Sequence, residues 1–351
     1  MSKKVLVWIS WWVDSAVAAH LLMEEGYEVY WWFMVNYKAP EGEHCTTKED
    51  LEEAKKVSEH LGLKDFFIFD FVDEYEEKVL NYMYEWYKNW ITPNPDIMCN
   101  KEVKFKVFLE AALEAWFDYI ATWHYARKSE VWDKFSLLKW VDNNKDQTYF
   151  LSWLSQYQLA HSLFPIWHLE KPEVRKIALD IDLPNASRKD SQWICFVWKV
   201  KMKDFLEKKI PNKIWDIVDT SGKKVWEHSW VFYYTIWQRR GIWVWWFEEP
   251  IFVIWKNIEK NELIIWTQKD LDLYSDSLEM NWLTFFWKEL DFPLKAMAKI
   301  RYRQEDQECE VKLISDDRAS VKFTNKQRAI SSGQICAIYL WEELILSWVI
   351  I

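Results

Sequence analysis

The chain has 351 residues, a length that suits two or three domains with buried cores. Its formal net charge of −10 argues against a surface that coats nucleic acid along its whole length, although short basic stretches can still line a local groove. Because it has neither an apolar run of about 18 residues nor a cleavable leader pattern, we expect a cytoplasmic protein with no membrane contact.

The first 125 residues alternate strand-like and helix-like patterns. Short apolar, β-branched runs are each followed by a segment of helical periodicity. Such alternation predicts a parallel sheet with helices on both faces, and ligands of such sheets bind at the carboxyl ends of the strands. The predicted strands are 4–9, 28–35, 66–71 and an apolar segment at 117–125, and the predicted helices are 13–25, 47–61, 73–88 and 101–115.

The pattern changes in the second half of the chain. Residues 154–164 and 173–181 still read as helices, whereas short β-like runs separated by turn residues begin after about residue 205. The last runs, KAMAKIRYR, QECEVKLIS, ASVKFT and QICAIYL, are typical of a small barrel or sandwich. We therefore predict an α/β domain, then two small β-rich domains, the last a β-barrel, at 1–203, 204–273 and 274–351.

Tryptophan is abundant and glycine is scarce. There are 28 Trp and 6 Gly, 34 together, and that sum is an ordinary glycine content, since average usage is about 7%. Tryptophan also recurs at turns that usually take glycine, as in WISWWVDS at 8–15 and GIWVWWFEEP at 241–250. We hypothesise that most of these residues are glycine, encoded by a UGA codon that conceptual translation reads as tryptophan. The alternative, a Trp-rich protein such as a carbohydrate binder, does not explain why Trp replaces Gly in particular.

A polar turn joins the first strand to the first helix. With glycine at positions 11 and 12, SWWVDS becomes SGGVDS, which resembles the pyrophosphate-binding loop of the ATP pyrophosphatase superfamily. Backbone N–H groups of a tight turn and a helix N-terminus bind phosphates, and Ser10 and Ser15 add hydroxyl groups. Asp14 suits a magnesium ion that bridges the phosphates. Alternatively, Asp14 or Ser15 only caps the helix.

Two of the five cysteines lie in polar, turn-like surroundings. In TPNPDIMCNKEVKF (92–105), Cys99 directly precedes a predicted helix, where a thiol pKa is lowered, and Asp96 is close enough in sequence to act as acid or base. In KDSQWICFVWK (189–199), Cys195 suggests a second thiol for persulfide transfer. The alternative for each is a packed apolar cysteine. The cysteines are too scattered for a disulfide scaffold, and without a CxxC pair we assign no metal ligands.

Nine segments, in order along almost the whole chain, resemble the bacterial tRNA-specific 2-thiouridylases, a family of the ATP pyrophosphatase superfamily. Four of the nine contain tryptophan, and there it occupies positions where the family has glycine. Trp282 in MNWLTF is an exception, because the family often has tryptophan there. The segments are SWWVDS, FMVN, TPNPDIMCNKE, ATWHYAR, NKDQTYFL, DSQWICF, TIWQRRGIWVWW, RYRQ and SSGQICAIY.

The resemblance implies roles for individual positions. Cys99 corresponds to the catalytic nucleophile and Cys195 to the persulfide cysteine, and Asp96 lies in the catalytic loop. The ATP-binding positions correspond to Trp8, Ile9, Ser10, Trp11, Trp12, Val13, Asp14, Ser15, Met34 and Trp123. The tRNA-binding positions correspond to Asn94, Pro95 and Asp96 at the target base, and to His124, Lys145, Asp146, Gln147, Arg301, Tyr302 and Gln334.

Without the resemblance, several of these residues favour ordinary structural roles. Residues 145–147 would be surface residues, His124 a hydrogen-bonded core imidazole, and Arg301 part of a salt bridge on a strand.

The reaction implied by the resemblance is ATP-dependent 2-thiolation of wobble uridine 34 in tRNA. The O2 atom of the flipped uridine attacks the α-phosphate of ATP, which releases pyrophosphate and leaves an adenylated base. Sulfur from a Cys195 persulfide then replaces the adenylate at C2. Cys99 either releases that sulfur or closes a disulfide with Cys195. The implied partners are tRNA and a sulfur-carrier or cysteine desulfurase-linked protein, and Mg²⁺ accompanies ATP.

Two alternative functions have distinguishing features. Another tRNA-modifying ligase of the same fold, similar to lysidine synthetase, needs no persulfide and hence no pair of cysteines. A non-catalytic RNA-binding protein is expected if the tryptophans at 11, 12 and 123 are literal and obstruct the nucleotide site.

Overall fold

A computed structural model describes residues 2–9, 12–36, 47–89, 91–142, 145–188, 214–228, 234, 236, 238–239, 241–242, 244, 247, 249–257, 260, 262–267, 274–286 and 290–351. The chain forms two compact units. The first comprises Met1–Leu80, Pro95–Trp198 and Tyr339–Leu346, and the second Asn81–Asn94, Lys199–Ile338 and Ser347–Ile351.

A five-stranded parallel sheet lies at the centre of the described part of the first unit. Its strand order is β3-β2-β1-β4-β7, and every neighbouring pair is parallel. The apolar run Val5–Val7 of the middle strand is fully buried, as expected for a parallel strand covered on both faces. The predicted parallel α/β domain is confirmed. The strands described in this unit are β1 (Lys4–Trp8), β2 (Glu28–Val35), β3 (Lys64–Asp70), β4 (Tyr119–Ala121), β5 (Arg127–Val131), β6 (Lys134–Leu138) and β7 (Ser162–Leu163).

Most helices follow the predicted segments closely, but the helix predicted at 154–164 spans only Gln156–Ala160, because Ser162–Leu163 pairs with β4 as strand β7. The segment predicted to begin at residue 101 differs, because the helical run starts at Pro95, in line with the favourable position of proline in a first helical turn. The described helices are α1 (Val13–Glu24), α2 (Thr47–Leu61), α3 (Val72–Tyr75), α4 (Asn81–Lys88), α5 (Pro95–Met98), α6 (Phe108–Glu114), α7 (Gln156–Ala160) and α8 (Lys171–Asp180), with π-helical segments Glu76–Leu80 and Cys99–Val107 and a 3₁₀ turn Thr148–Leu151.

The second unit is rich in β-structure and also contains α4. One sheet has the strand order β10-β11-β8-β9 and an apolar core around Ile217, Val253 and Ile265. Its strands are β8 (Trp215–Val218), β9 (Lys224–His228), β10 (Ile251–Asn257) and β11 (Glu262–Thr267). One of the β-like runs predicted after about residue 205, VFYYTIW at 231–237, lies mostly outside the described residues.

Six C-terminal strands in the described part of the chain close into a barrel. They follow the order β12-β15-β14-β13-β16-β17, and a pairing of β12 with β17 closes the ring. Alternate residues Ala319, Val321 and Phe323 are buried, the period expected of a strand with one face inside. The predicted terminal β-barrel is confirmed. Its strands are β12 (Tyr274–Phe285), β13 (Leu294–Lys299), β14 (Gln307–Ser315), β15 (Arg318–Arg328), β16 (Ile335–Leu340) and β17 (Glu343–Ile350).

No described helix combines the length and the apolar character that crossing a membrane requires.

Candidate active site

The carboxyl ends of β1 and β4 form the edge predicted to bind the nucleotide. We call its described residues the nucleotide edge: Trp8, Ile9, Trp12, Val13, Asp14, Ser15, Met34 and Trp123. Trp8 is the last residue of β1, and its ring centroid lies 5.0 Å from that of Trp123, just beyond β4. Both Ile9 and Met34 are buried. The two indoles therefore pack together at the end of adjacent strands. Ser10 and Trp11 lie outside the described residues.

Helix α1 begins at this edge. Trp12 occupies its N-cap in an extended conformation, with φ −88° and ψ 150°, and its side chain makes no capping hydrogen bond. N-caps favour residues with a short side-chain oxygen, or glycine, and an indole provides neither. The hydroxyl of Ser15 donates to the Trp12 carbonyl at 2.9 Å.

Asp14, in the first turn of α1, is held by two side chains. The Lys171 ammonium lies 2.6 Å from each Asp14 carboxylate oxygen, and the Tyr125 hydroxyl donates to Asp14 at 3.0 Å. The Asp14 carboxylate therefore lies in the first turn of α1 and is neutralised by the ammonium of Lys171, the first residue of α8. Sequence reasoning missed Lys171. Its signal was a basic residue in a first helical turn, where the helix dipole disfavours a cation.

The second part of the site is the segment Pro95–Val107, which we call the thiol segment. The sequence predicted that Cys99 directly precedes a helix, but the helical backbone already begins at Pro95 and includes Met98. Cys99 therefore lies one turn inside the helical run and not at its N-terminus. Cys99 is buried at the start of a π-helical stretch, a feature frequent at functional sites. The buried Oδ1 of Asn100 has no hydrogen-bond partner among the described residues.

Lys104 sets the electrostatics of the thiol segment. It is buried, and its ammonium lies 5.0 Å from the Trp8 ring centroid. Burial raises the pKa of Asp96, and the positive charge of Lys104 opposes that rise. Burial also lowers the pKa of His124 well below its ordinary value, and Lys104 lowers it further. The site therefore contains an acid that retains its proton more readily than usual and an imidazole that stays neutral.

His124 and the residues at 145–147 have internal partners. The Nδ1 atom of His124 lies 2.9 Å from the Thr122 hydroxyl. The buried Asp146 carboxylate accepts from the backbone N–H of Trp140 at 3.0 Å, and the Gln147 side-chain oxygen accepts from the backbone N–H of Tyr125 at 2.9 Å. Lys145 is half-buried. Most of these predicted tRNA-binding side chains thus support the local fold.

In the second unit, Gln334 meets the loop that leads to Asn94. Its side-chain N–H group donates to the carbonyls of Thr92 and Pro93, at 3.1 and 3.5 Å. The Asn94 N–H donates to the Tyr82 hydroxyl at 3.4 Å.

Arg301 and Tyr302 lie elsewhere in the second unit. The exposed Arg301 guanidinium donates to the Arg328 carbonyl at 2.7 Å, and Tyr302 is half-buried. Cys195, the predicted persulfide cysteine, lies outside the described residues.

The nucleotide edge, with tryptophan at positions 8 and 123, does not fit ATP. The start of α1 and Lys171 have the donors and the charge that suit a phosphate group. However, the indoles of Trp8 and Trp123 occupy the space at the ends of β1 and β4, where an α/β sheet binds its ligand. Two large side chains therefore lie where a nucleotide-binding edge needs backbone that the ligand can approach closely.

Three protein-family models match the chain. Residues 3–199 match a "tRNA methyl transferase HUP domain", 203–267 a "tRNA methyl transferase PRC-barrel domain", and 275–349 an "Aminomethyltransferase beta-barrel domain".

Several bacterial proteins resemble the chain over nearly its full length. The tRNA-specific 2-thiouridylase MnmA of Lysinibacillus sphaericus (strain C3-41) is 43% identical, covering 97% of this chain and 92% of that protein. The chain belongs to the tRNA-specific 2-thiouridylase family. A second MnmA in this family, from Marinomonas sp. (strain MWYL1), is 42% identical, covering 96% of this chain and 88% of that protein. A solved NMN synthetase from Francisella tularensis aligns with 54% of this chain and 66% of its own, at 15% identity and a TM-score of 0.34, too low to carry a conclusion.

Proposed function

We propose that this chain transfers sulfur to C2 of the wobble uridine of tRNA, the activity named for its 2-thiouridylase relatives. The observation that carries the proposal is the thiol segment, in which Cys99 follows Asp96 by three residues and burial raises the pKa of Asp96. A thiol three residues from an acid that retains its proton more readily than usual suits group transfer.

Cys99 and Cys195 are the proposed sulfur-transfer pair. The Cys99 thiolate attacks the inner sulfur of a Cys195 persulfide, forming a Cys99–Cys195 disulfide. The bond to the outer sulfur breaks, and hydrosulfide leaves with the electron pair as the nucleophile for C2. A sulfur-carrier or cysteine desulfurase-linked protein is the proposed source of the persulfide, and a thiol reductant must then reopen the disulfide.

The remaining predicted residues are proposed to bind substrates. Asn94, Pro95 and Asp96 would contact the target base, and Asp96 would also exchange a proton. ATP with Mg²⁺ is the proposed co-substrate of a chain that carries glycine at positions 8, 11, 12 and 123. The other proposed tRNA-binding residues are His124, Lys145, Asp146, Gln147, Arg301, Tyr302 and Gln334. The proposed domain boundaries stay at 1–203, 204–273 and 274–351.

The experiment is an assay of 2-thiouridine in tRNA by liquid chromatography and mass spectrometry, with ATP, a persulfide donor and a chain that has glycine at the family's glycine positions. We expect Cys99→Ser and Cys195→Ser each to abolish the product. Cys309→Ala is the matched control, because that thiol is buried in the barrel and burial raises its pKa to about 12.

The outcome separates the alternative functions. Full activity of either serine variant would contradict the proposal and favour a ligase without a persulfide. Binding of tRNA with no thiolation in any form would favour a non-catalytic RNA-binding protein.

A further inference from the structure

The poor fit between the nucleotide edge and ATP has a parallel in the packing of other tryptophans. The ring centroids of Trp32 and Phe108 lie 3.4 Å apart, closer than the roughly 4.5–7 Å usual for aromatic pairs. The indole N–H groups of Trp32, Trp140 and Trp153 are buried with no acceptor in the part of the chain that the structure describes. Buried indole N–H groups normally have a partner, so these sites are poorly suited to tryptophan.

The backbone at helix ends gives an independent test of which residue belongs at position 116. Helices α1, α2, α6 and α8 end in the same motif, in which two successive N–H groups bond back to carbonyls three and five residues earlier. At α1 these donors are Gly26 and Tyr27, both at 3.0 Å, and at α2 they are Gly62 and Leu63, both at 3.1 Å.

At α6 the donors of the same motif are Trp116, at 3.0 Å, and Phe117, at 3.1 Å. The first donor has φ of +86° at Gly26, +64° at Gly62 and +65° at Trp116. Trp116 therefore occupies a position that α1 and α2 give to glycine. At α8 the same position is Asp182, with φ of +52°, a short polar residue that tolerates this conformation better than a bulky one.

Two hairpin turns show the same requirement. The turn between β5 and β6 has two central residues, Trp132 and Asp133, with φ of +53° and +59°. This pattern belongs to the type I′ turn, which favours Asn, Asp and Gly. In the turn between β16 and β17 the first central residue, Trp341, has φ of +57° and Glu342 has no positive φ. That is the position at which a type II′ turn takes glycine.

These three indoles gain almost nothing from burial. Trp116, Trp132 and Trp341 are 86%, 91% and 90% exposed. All five glycines in the described part of the chain also have positive φ, so the three tryptophans share the backbone conformation of the chain's own glycines. A bulky residue at positive φ is unfavourable, and an exposed side chain has no packing energy to offset this.

We infer that positions 116, 132 and 341 carry glycine in the protein that the cell makes, because the codon written as tryptophan is read there as glycine. The same codon at positions 8 and 123 places glycine at the nucleotide edge and removes the two large side chains that lie there. The positive φ at these three turns is independent of any activity. Only the consequence for ATP rests on the proposed function.

The direct test is mass spectrometry of the protein isolated from its own cells. Trypsin releases residues 129–134, SEVWDK, as a peptide with a single tryptophan position. We expect the mass and fragment ions of SEV-Gly-DK, and glycine at 116 and 341 in the corresponding peptides. Tryptophan at any of these three positions overturns the inference, whether or not the protein thiolates tRNA.

The second test uses recombinant chains and requires no activity. Trp116→Gly, Trp132→Gly and Trp341→Gly should each lower the unfolding equilibrium constant of the chain as written by about fivefold. Trp255→Gly is the matched control, because that indole is 63% exposed but lies on the extended backbone of β10, where glycine is unfavourable. No stabilisation at the three turns, or equal stabilisation by the control, overturns the backbone argument. If the chain as written does not fold, the peptide masses decide.

Discussion

The thiol segment and the nucleotide edge lie in the same unit, and Lys104 of the thiol segment contacts Trp8 of the nucleotide edge. Only the thiol segment has the chemical groups that its proposed chemistry needs. In the thiol segment, a carboxyl, a thiol and a buried ammonium supply that chemistry, and no tryptophan lies between Pro95 and Val107. At the nucleotide edge the proposed chemistry depends on backbone N–H groups that carry no large side chain. Positions 8, 12 and 123 instead carry the indoles of Trp8, Trp12 and Trp123.

The difference shows how each kind of site depends on glycine. Side chains supply their own functional groups, so a tryptophan elsewhere in the chain does not remove them. A backbone phosphate site needs N–H groups that a ligand can approach closely, and a large side chain blocks that approach. The nucleotide edge is therefore the part of the site most sensitive to the identity of the tryptophans.

The largest effect is expected at a glycine present in the chain as written, Gly333. Its φ is +88°, and a Cβ atom there would collide with the Ile91 side chain and lie 2.6 Å from the Thr92 carbonyl oxygen. Gly333→Ala should lower the free energy of unfolding by about 3 kcal/mol, measured by urea denaturation. Gly222→Ala is the control for φ alone, because that glycine has φ of +82° and nothing within 4 Å. Equal losses of stability in Gly333→Ala and Gly222→Ala would show that the contacts of a Cβ atom at position 333 are unimportant.

Opening the nucleotide edge should produce the next largest effect. A chain with glycine at positions 8, 11, 12 and 123 should bind ATP about a hundredfold more tightly than the chain as written, or about 2.7 kcal/mol, because two indoles leave the ligand space. Calorimetric titration with ATP measures the difference. Trp226→Gly, in strand β9 of the second unit, is the matched control and should leave the affinity unchanged. Unchanged affinity of the four-glycine chain would contradict the contrast between the two regions.

The ion pair at α1 should have a smaller effect. Lys171→Met leaves the largely buried Asp14 carboxylate without its ammonium partner and should lower the free energy of unfolding by about 2 kcal/mol. Asp14→Asn in the same chain should recover most of that loss. Lys176→Met, an exposed lysine on the same helix, is the control. Additive effects of the Asp14 and Lys171 substitutions in a double-mutant cycle would show that the pair is not coupled.

The smallest effect concerns Asp96 and is a pH dependence. Because the pKa of Asp96 is raised, the folded state binds its proton more tightly than the unfolded state. The stability that this proton contributes is lost as pH rises from 3.8, the ordinary pKa of an aspartate, through the higher pKa of Asp96 in the folded state. Asp96→Asn should therefore stabilise the chain above that range, while removing the proposed proton exchange. Unfolding curves across pH, with exposed Asp73→Asn as the matched control, measure this. An unchanged pH slope would be inconsistent with a raised pKa.

Local pattern predicted most of the fold. Helix 47–61 and strands 28–35 and 307–315 have the predicted bounds, because periodicity and turn residues define them within a few residues. The hairpin of β5 and β6 was not predicted, since its turn residues are Trp132 and Asp133 and the usual glycine signal is absent. Strands β12 and β17 were also missed, because their pairing joins residues distant in sequence.

The candidate site was predicted unevenly for a similar reason. Cys99, Asp96 and Asp14 have chemical groups that a motif identifies. Lys104 and Lys171 carry no motif, and only the folded chain brings Lys104 to the Trp8 ring and Lys171 to Asp14. Long-range electrostatic partners of this kind depend on packing and leave no spacing pattern in the sequence.

The sequence by itself determined most of the order of strands and helices, the thiol segment and the excess of tryptophan over glycine, because periodicity, residue chemistry and composition are local or summed quantities. Only the tertiary structure decided that Asp14 is held by Lys171, and that Trp116, Trp132 and Trp341 have backbone conformations suited to glycine. Backbone φ and the distances between remote side chains are set when helices and strands pack, so they are properties of the folded chain alone.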